Sequence, residues 1–572
     1  MPEDECVVCS APAARKCSAC RQTSYCSKEH QKQDWKKHKN ACRCFEIRTS
    51  PELGKYLVAS RDLSPGDVII SEGPLLVGPK LHTEQPLCLG CHAPTRFDSD
   101  YRCPKCLWPW CGPSCPADPK LHAPECSILR LQAKQSLASA ARKDVAGYHY
   151  DAVTPLRCLL FQRRNPRKWE QILQMEAHLR HRGPGTDTYR EIQDRVVNFL
   201  QENYLQNLPS VDVSGETVLQ NCSQNTLHRI CGVLDVNGLD IRLALGSEVV
   251  ALYPTVYLIE HNCLPNTRHT FEINPGYKQY RITVTATQHI QKGEHIATMY
   301  THALWGTQAR RDHLLATKYF SCRCKRCSDP TELGTNISGL RCLGLHALSD
   351  GTSDADDGSC GGTQLPISPL DDNSDWRCDR CPIVMTSSEV SDLVSRIGEE
   401  VDTIQAGSPT VTQLEELLTK LSMFLHPHHY HLYSVKHTLV QLYGHQQGYQ
   451  ISQLSDQQLK RKAGMCRELL AITDTLDPGA TRLALFSSVL LRELHCAEFY
   501  LARRDLEKEP PVVSARETIR RALEAKELLL RAIEILKPEP LFSSGAKMTE
   551  LVQKTLFECD IWLKDKMSTI PT

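Results

Sequence analysis

Cysteine and histidine residues follow one particular order twice in this 572-residue chain, and that order constrains its fold more than any other feature. The first set is Cys6, Cys9, Cys17, Cys20, Cys26, His30, His38 and Cys42, and the second is Cys88, Cys91, Cys103, Cys106, Cys111, Cys115, His122 and Cys126. Each set supplies eight soft ligands within about forty residues, enough for two tetrahedral zinc ions. Units this small lack a large core, so zinc binding is expected to supply their folding free energy.

The spacing groups these ligands into half-sites. A Cys-x2-Cys segment turns tightly enough for both thiolates to bind one ion, and an x3 spacing on a helix places residues i and i+4 on one face. Cys26 with His30, and His38 with Cys42, are therefore expected to lie on short helices. Protein ligands fill every position, which indicates structural rather than catalytic zinc.

The first set resembles the MYND zinc finger, in which two sites interleave. The resemblance implies that one ion is bound by Cys6, Cys9, Cys26 and His30, and the other by Cys17, Cys20, His38 and Cys42. His30 stands where the family usually has cysteine, and imidazole is a competent zinc ligand. The second set has longer loops but keeps the order, which implies one site of Cys88, Cys91, Cys111 and Cys115 and another of Cys103, Cys106, His122 and Cys126.

Charge and cysteine usage limit the class of protein. The 67 basic and 67 acidic residues balance, so no global field favours nucleic acid or a membrane. The 28 cysteines occur largely as CxxC pairs with interleaved histidines, which favours metal binding in a reducing compartment over disulfides. The N-terminus has no signal-peptide pattern, and no apolar run reaches about 18 residues. We expect the cytoplasm, the nucleus or both.

Several segments outside the cysteine sets carry strand patterns. Residues 53–80 alternate apolar and polar side chains around a Ser-Pro-Gly turn and predict a β-hairpin. Residues 282–286 form a second alternating strand, followed by a Lys-Gly-Glu turn. With residues 252–267 and the KYFSCRCKRC segment at 318–327, they resemble, in order, the parts of a SET domain.

This arrangement is similar to that of SET-and-MYND (SMYD) protein lysine methyltransferases, and the extra N-terminal module resembles the insect-type SmydA branch. In that family a MYND module splits the SET domain. The resemblance implies an α+β multidomain chain: a SET β-fold split by a MYND zinc module, an extra N-terminal MYND finger and a C-terminal tetratricopeptide-like helical domain. The expected boundaries are 1–44 (MYND), 45–87 (SET N-terminal part), 88–126 (second module), 127–245 (helical insert), 246–320 (SET core), 321–387 (post-SET region) and 388–572 (helical domain).

The same resemblance implies a zinc site after the SET core. Cys322, Cys324 and Cys327 lack a fourth ligand, which SET proteins supply from a motif matched here by Cys263. A further set of cysteines consists of Cys342, Cys360, Cys378 and Cys381. Whether this set binds zinc is left open by the sequence, because a first CxxC pair requires cysteine where Leu345 stands.

If the chain is a SET enzyme, it transfers a methyl group from S-adenosylmethionine to a lysine of a histone or another protein. Two tyrosines border the lysine channel in that family, and Tyr300 and Tyr319 occupy the matching positions, with Tyr319 matching the catalytic residue. A tyrosine before a cysteine cluster is, taken alone, more often a core residue. An apolar channel favours the neutral lysine amine.

The cofactor motifs depart from the family pattern. Gly54-Lys55-Tyr56 stands where the family has Gly-x-Gly, and Tyr56 adds bulk. Glu260 stands beside His261 where the family has asparagine, and an ionised glutamate only accepts hydrogen bonds. Asn237 is a candidate cofactor residue or a turn asparagine before Gly238. These departures leave open an alternative, a catalytically weakened SET/MYND scaffold or transcriptional co-regulator.

The C-terminal region predicts helical hairpins. Ser514 and Glu517 match a capping box, and apolar residues then recur at helical spacing up to Leu536, before Pro538. The histidine-rich stretch 426–431 is interpreted as a helix start rather than a metal site. We expect a monomer that binds protein substrates or peptides through its MYND modules and C-terminal helices.

Overall fold

The structure is a computed structural model. It describes residues 5–13, 15–17, 23–42, 44–81, 83, 86–95, 101–113, 115, 122–136, 150–208, 219, 221–243, 248–273, 280–344, 360–507, 514–539 and 543–569. Among the predicted zinc ligands, Cys20 lies outside these residues.

Short strands dominate the first two thirds of the chain. They are β1 (Arg15–Lys16), β2 (Ser24–Tyr25), β3 (Phe45–Ser50), β4 (Gly54–Ala59), β5 (Val68–Glu72), β6 (Leu76–Pro79), β7 (Leu239–Arg242), β8 (Glu248–Leu252), β9 (Glu260–His261), β10 (Thr267–Phe271), β11 (Ile282–Ala286), β12 (Ala297–Thr298), β13 (Leu340–Arg341), β14 (Thr363–Pro366), β15 (Trp376–Cys378) and β16 (Val384–Met385).

Helices fill the insert between β6 and β7 and the C-terminal third. They are α1 (Lys28–Cys42), α2 (Ala123–Ser136), α3 (Val153–Leu159), α4 (Phe161–Arg164), α5 (Pro166–Leu173), α6 (Asp187–Ile192), α7 (Phe199–Asn203), α8 (Gln224–Asn237), α9 (Thr307–Lys318), α10 (Lys325–Ser328), α11 (Ser387–Ala406), α12 (Val411–Leu421), α13 (Tyr430–Leu442), α14 (Asp456–Leu476), α15 (Ala484–Glu507), α16 (Ala515–Leu536) and α17 (Ser544–Thr569). No helix in the described ranges is long and apolar enough to cross a membrane.

The SET region is built from several small sheets. Strands β10, β11 and β5 form one antiparallel sheet, and β6, β8 and β7 form another. Strand β11 buries every second residue, as its alternation predicts. The apolar faces of both sheets share a core with α3 and α8, in which Leu156, Ile230 and Val249 are fully buried.

The hairpin predicted over residues 53–80 is wrong. The strands exist, but β4 pairs with β3, β5 pairs with β11 and β6 pairs with β8. The turn at Ser64–Gly66 faces a different part of the chain, because the Gly66 N–H donates to the Ala286 carbonyl (2.8 Å) and Leu63 bridges Ile290. Alternation predicts a strand but does not identify its partner, which long-range contacts decide.

Arg157 on α3 ties the second cysteine module to the SET region. Its guanidinium donates to the carbonyl oxygens of Val77 (2.8 Å) and Leu89 and to the Glu125 carboxylate. Arg157 and Glu125 are both buried. One side chain therefore joins β6, the module's first Cys-x2-Cys turn and α2.

The C-terminal helices stack as successive hairpins, and reciprocal capping boxes begin three of them, at Thr386, Thr410 and Ser455. Ser514 also caps its helix by accepting from the Glu517 N–H, while the Glu517 side chain pairs with Arg520. The predicted apolar stripe of α16 is buried, with members Ile519, Ala522, Ala525, Leu529, Ala532 and Leu536. Mixed α/β sheets followed by stacked helices match the predicted fold class.

Candidate functional site

The N-terminal module brings one predicted tetrad together completely. The ligand atoms of Cys6, Cys9, Cys26 and His30 all lie within 4.8 Å of one another. Of the second tetrad, the Cys17 and Cys42 sulfurs lie 3.6 Å apart, and His38 is buried on α1 with its Nδ1 3.1 Å from Thr23 Oγ1. Zinc-bound histidines usually make such a contact through the ring nitrogen that does not bind the metal.

The second module assembles both of its predicted tetrads, within the same 4.8 Å limit. Its sulfurs approach closely, with 3.6 Å between Cys91 and Cys111 and 3.7 Å between Cys103 and Cys126. Zn–S bonds of about 2.3 Å in a tetrahedron place sulfurs about 3.8 Å apart, so these spacings fit zinc. His122 directs Nε2 toward the thiolates, because its Nδ1 contacts the buried Glu125 carboxylate (3.0 Å).

The post-SET tetrad of Cys263, Cys322, Cys324 and Cys327 also converges. The Cys263 and Cys327 sulfurs lie 3.5 Å apart. Four thiolates around Zn²⁺ carry a net charge of −2, and the buried Arg310 donates to Cys263 Sγ (3.3 Å) and Cys327 Sγ (3.4 Å). The predicted fourth ligand is therefore in place, with a cation beside it.

The set that the sequence left open, Cys342, Cys360, Cys378 and Cys381, converges as well. The Cys342–Cys381 and Cys360–Cys378 sulfur distances are 3.5 and 3.7 Å. The N–H groups of Gly344 and Arg380 point at Cys342 Sγ (3.4 Å) and Cys378 Sγ (3.3 Å). Here only Cys378 and Cys381 form a CxxC pair, and strand pairing of β13 to β15 brings in the two single ligands.

A cavity of about 690 Å³ opens between the SET sheets, the helical insert and the C-terminal domain. This volume lies within the range of small-ligand sites. Of the residues predicted for catalysis or cofactor binding, the cavity is lined by Asn237, Tyr300 and Tyr319. Lys318 and Arg482, which the sequence analysis did not single out, also line it.

Tyr300 is fixed through a chain of contacts that begins at the post-SET tetrad. Cys263 Sγ lies 3.3 Å from His261 Nε2, and His261 Nδ1 accepts from the Tyr300 N–H (3.0 Å). The Tyr300 hydroxyl donates to the Ile259 carbonyl. Burial raises the pKa of Tyr300 and lowers the pKa of His261 to about 4, so both are neutral near pH 7. The metal site therefore positions a neutral phenol at the cavity wall.

Tyr319 points to a different group of residues. It follows the last residue of α9 with a left-handed φ of +61°, a rare conformation for a residue with a Cβ. Its ring stacks on His181 (4.9 Å between centroids), and Arg182 donates to its hydroxyl (3.4 Å). The preceding residue, Lys318, instead places Nζ 5.8 Å from the centre of the Tyr300 ring.

The two departures from the family pattern meet at a residue that sequence reasoning missed. The Tyr56 ring stacks on His295, with 4.7 Å between centroids, and His295 Nδ1 contacts the Glu260 carboxylate. No motif marks His295, so only the fold could reveal this cluster. Gly54 lies at the hairpin end of β4 with φ +67° and nothing within 4 Å of an added Cβ, and Lys55 follows it.

Five of the residues predicted to bind the cofactor are not among the described residues that line the cavity: Gly54, Lys55, Tyr56, Glu260 and His261. Asn237, which does line it, donates both amide hydrogens to the carbonyls of Glu176 (2.7 Å) and Val233 (2.9 Å). Its side-chain oxygen is thus oriented as an acceptor. The structure therefore places Tyr300 and Tyr319 at the cavity, whereas Glu260 contacts His295.

Comparisons with known proteins agree with this architecture. A family model described as MYND finger matches residues 6–42, and one described as SET domain matches residues 54–301. The chain is 28% identical over 361 residues to the SET domain-containing protein SmydA-8, isoform B, of Drosophila melanogaster, covering 61% of this chain and 68% of that protein. It is 25% identical over 401 residues to the histone-lysine N-methyltransferase ASHR1 of Arabidopsis thaliana, covering 67% and 72%.

Among solved structures, the SET domain of LSMT bound to lysine and AdoHcy aligns over 93% of this chain and 92% of that one. The sequence identity is 11% and the TM-score is 0.24, a likeness too weak to assign a fold or a ligand. The second cysteine module lies inside the SET match, between the sheet strands that flank it.

Proposed function

Because this chain belongs to the SET-and-MYND family of SET-domain proteins, in its SmydA branch, we propose that it is an S-adenosylmethionine-dependent protein-lysine N-methyltransferase. The observation that carries the proposal is Tyr300, a neutral phenol at the wall of a 690 Å³ cavity, held through His261 by the post-SET cysteine tetrad. Relatives of this chain include proteins named as histone-lysine N-methyltransferases, which supports the reaction class.

The residues at the cavity suit a reaction that depends on alignment rather than on acid–base groups. A bound S-adenosylmethionine supplies a methyl group on a sulfonium, and the protein must present a neutral lysine amine in line with it. The Tyr300 hydroxyl donates its hydrogen to the Ile259 carbonyl. Its oxygen can therefore accept a hydrogen bond from an N–H of the substrate lysine amine. Buried Met299 adds apolar surface that disfavours the ammonium form.

The fit to the cofactor is partial. Asn237 offers an acceptor oxygen at the cavity, which Tyr300 also lines. Glu260 suits a ligand ammonium but repels a ligand carboxylate, and the Glu260 carboxylate already contacts His295 Nδ1. Lys55 and Tyr56 follow Gly54 on β4. In the SET family, the main chain of this motif approaches the cofactor.

The cluster of Tyr56, His295 and Glu260 favours a second candidate, a SET-fold scaffold without methyl transfer. In that case the first MYND module, which lies outside the split SET domain, and the C-terminal helices would act as docking surfaces for protein or peptide partners. We propose these two regions as partner sites in either case, with the chain a monomer in the cytoplasm, the nucleus or both.

Calorimetric titration of S-adenosylmethionine into the zinc-loaded full chain distinguishes the two candidates. The enzyme proposal expects saturable binding at micromolar concentration, and no binding at millimolar concentration would overturn it. A second assay measures methyl transfer to a mixed histone and lysate substrate. Tyr300→Phe, which removes the hydroxyl and keeps the ring, should retain cofactor binding and lower transfer at least tenfold, about 1.4 kcal/mol of transition-state stabilisation.

A further inference from the structure

An amine of the protein itself lies at the proposed lysine site. Lys318 ends α9, and its Nζ donates to the carbonyls of Asp235 (3.2 Å) and Val236 (2.7 Å) near the C-terminal end of α8. The same atom lies 5.8 Å from the centre of the Tyr300 ring. Lys318, Tyr300, Asp235 and Val236 all line the 690 Å³ cavity.

The hydrogen bonds of Lys318 fit a neutral amine that is ready to react. A neutral amine has two N–H groups and one lone pair, and the two carbonyls accept both hydrogens. The lone pair is then left without a hydrogen-bond partner from these carbonyls. Burial lowers the pKa of Lys318, with Arg182 adding to the effect, while Asp235 and Asp240 oppose it.

We propose that Lys318 is a methylation site modified within its own chain, with monomethyl-lysine as the product. The inference rests on the proposed function, because a methylsulfonium donor must occupy the cavity. In the step, the Nζ lone pair forms a bond to the methyl carbon and the carbon–sulfur bond breaks. Its electron pair returns to sulfur, which leaves as a neutral thioether, and the ammonium so formed retains the charge or gives a proton to water.

The limit to one methyl group follows from counting donors. A protonated monomethyl-lysine keeps two N–H groups, one for each of the Asp235 and Val236 carbonyls, whereas a dimethyl-lysine keeps one. The second methyl group would therefore leave one of these two carbonyls without its N–H partner. The alternative is a purely structural role, in which Lys318 joins the C-terminal ends of α8 and α9 and is never modified.

The experiment uses the zinc-loaded full chain with isotopically labelled S-adenosylmethionine, followed by proteolysis and peptide mass spectrometry. The proposal expects one added methyl on Lys318, approaching one per chain, and none on Lys325, an exposed lysine seven positions later. The rate should be first order and independent of protein concentration. A tagged Tyr300→Phe chain should be methylated at Lys318 no faster when mixed with the unmodified chain than when incubated alone, because the reaction occurs within one chain.

Three results overturn the inference, and they are distinguishable from one another. If the cofactor binds and external proteins are methylated while Lys318 is not, the inference fails and the proposed function stands. Faster methylation of the tagged Tyr300→Phe chain in the mixture than in isolation would exclude the reaction within one chain. If no cofactor binds in the calorimeter, both the proposed function and the inference fail together. Lys318→Arg, which keeps a long side chain with N–H donors but has no lysine amine to methylate, should abolish the labelled peptide and leave cofactor binding measurable.

Discussion

A single carboxylate, that of Glu332, holds two buried guanidinium groups beside the post-SET tetrad. Arg310 donates to it at 2.7 Å and Arg326 at 2.9 Å, and all three side chains are at most 2% exposed. Burial by itself raises the pKa of Glu332, but the two guanidiniums outweigh it and lower the pKa to about 2. The carboxylate is therefore ionised, and through Arg310 it supports the thiolates of Cys263 and Cys327.

We predict that Glu332→Gln destabilises this region by roughly 3–5 kcal/mol, because it leaves two guanidiniums buried without their counter-charge. Chemical unfolding followed by tryptophan fluorescence measures the loss, and zinc release from the unfolding protein should begin at lower denaturant. Glu416→Gln, an exposed glutamate on α12, is the matched control and should change stability by no more than about 0.5 kcal/mol. Equal effects from the two variants would contradict the prediction.

For the neighbouring residues Lys318 and Tyr319, the sequence does not predict which side chain faces Tyr300. The resemblance to SET enzymes implied that Tyr319 borders the lysine channel, and this remains a prediction. Yet α9 continues through Lys318, and the left-handed turn at Tyr319 sends its ring to His181. A change of one backbone conformation decides which of two adjacent side chains faces Tyr300, and no periodicity encodes it. Zinc ligands were predictable because their chemistry requires a fixed residue type at a fixed spacing.

At the scale of an element, α13 shows how a histidine-rich stretch can begin a helix. His429 is its N-cap and accepts from the His431 N–H, as the interpretation of residues 426–431 as a helix start implies. The rings of His429, Tyr430 and His431 stack on one another. Burial, reinforced by His431 and His426, holds the pKa of His429 well below its ordinary value, and burial lowers the pKa of His431 to about 4.

These shifts predict acid sensitivity of the helical domain. A histidine whose folded pKa is depressed contributes full stability above its unfolded pKa of about 6.5, and that contribution is lost as the pH falls toward 4. For His431 the loss is about 1 kcal/mol at pH 5.5. In zinc-supplemented buffer, His431→Phe should make the melting temperature less dependent on pH between 7 and 5.5. His289→Gln, at an exposed position, should leave the pH dependence unchanged, and a parallel change in both variants would count against the mechanism.

The four-stranded sheet of β13 to β16 gives a second prediction at this scale. Its strands are two to four residues long and meet at the tetrad of Cys342, Cys360, Cys378 and Cys381, which forms its own small buried cluster. A sheet of such short strands gains little from its own apolar surface, so zinc should supply much of its stability.

We therefore expect six zinc ions in the full chain and five in Cys378→Ser. Elemental analysis of the purified protein measures the count, and hydrogen exchange should accelerate at β14 and β15 but not in the second MYND module. Cys466→Ser, which replaces a buried cysteine of α14 that belongs to none of the tetrads described above, is the control and should retain all six ions. A count of five in the parent chain that does not fall in Cys378→Ser would show that this tetrad is empty.

Across the whole molecule, the sequence predicted which modules occur and in what order, because each has a local pattern. It did not predict how the helical domain meets the SET region. Arg268 on β10 pairs with Glu539 and donates to the Ile535 carbonyl (3.2 Å) at the end of α16, and Thr287 bonds Thr481 (3.0 Å). These contacts join residues about 190 to 270 positions apart, which no local pattern encodes.

One consequence of this domain contact is the position of Arg482. It precedes α15 in the helical domain and lines the SET cavity, and among the described residues its guanidinium makes no ion pair or hydrogen bond, although the Asp477 carboxylate attracts it at longer range. The nearby Asp477 carboxylate is already used by the N–H groups of Thr481, Arg482 and Leu483. A cation at the cavity that makes no ion pair among the described residues favours an acidic side chain in a protein that enters it.

If the chain methylates proteins, Arg482→Ala should raise KM for a substrate with acidic residues near the target lysine by about tenfold, or 1.4 kcal/mol, and leave the Kd for S-adenosylmethionine unchanged. Arg482→Lys keeps the charge and should recover most of the loss.

Because the contact is electrostatic, the difference in KM between the parent protein and Arg482→Ala should shrink as salt rises from 50 to 500 mM, roughly as the Debye length shortens. Peptides whose acidic residues are replaced by glutamine should no longer distinguish the two proteins, since the helical domain would then select substrates by size alone. A KM difference that persists with those peptides would assign Arg482 to domain packing rather than to charge recognition.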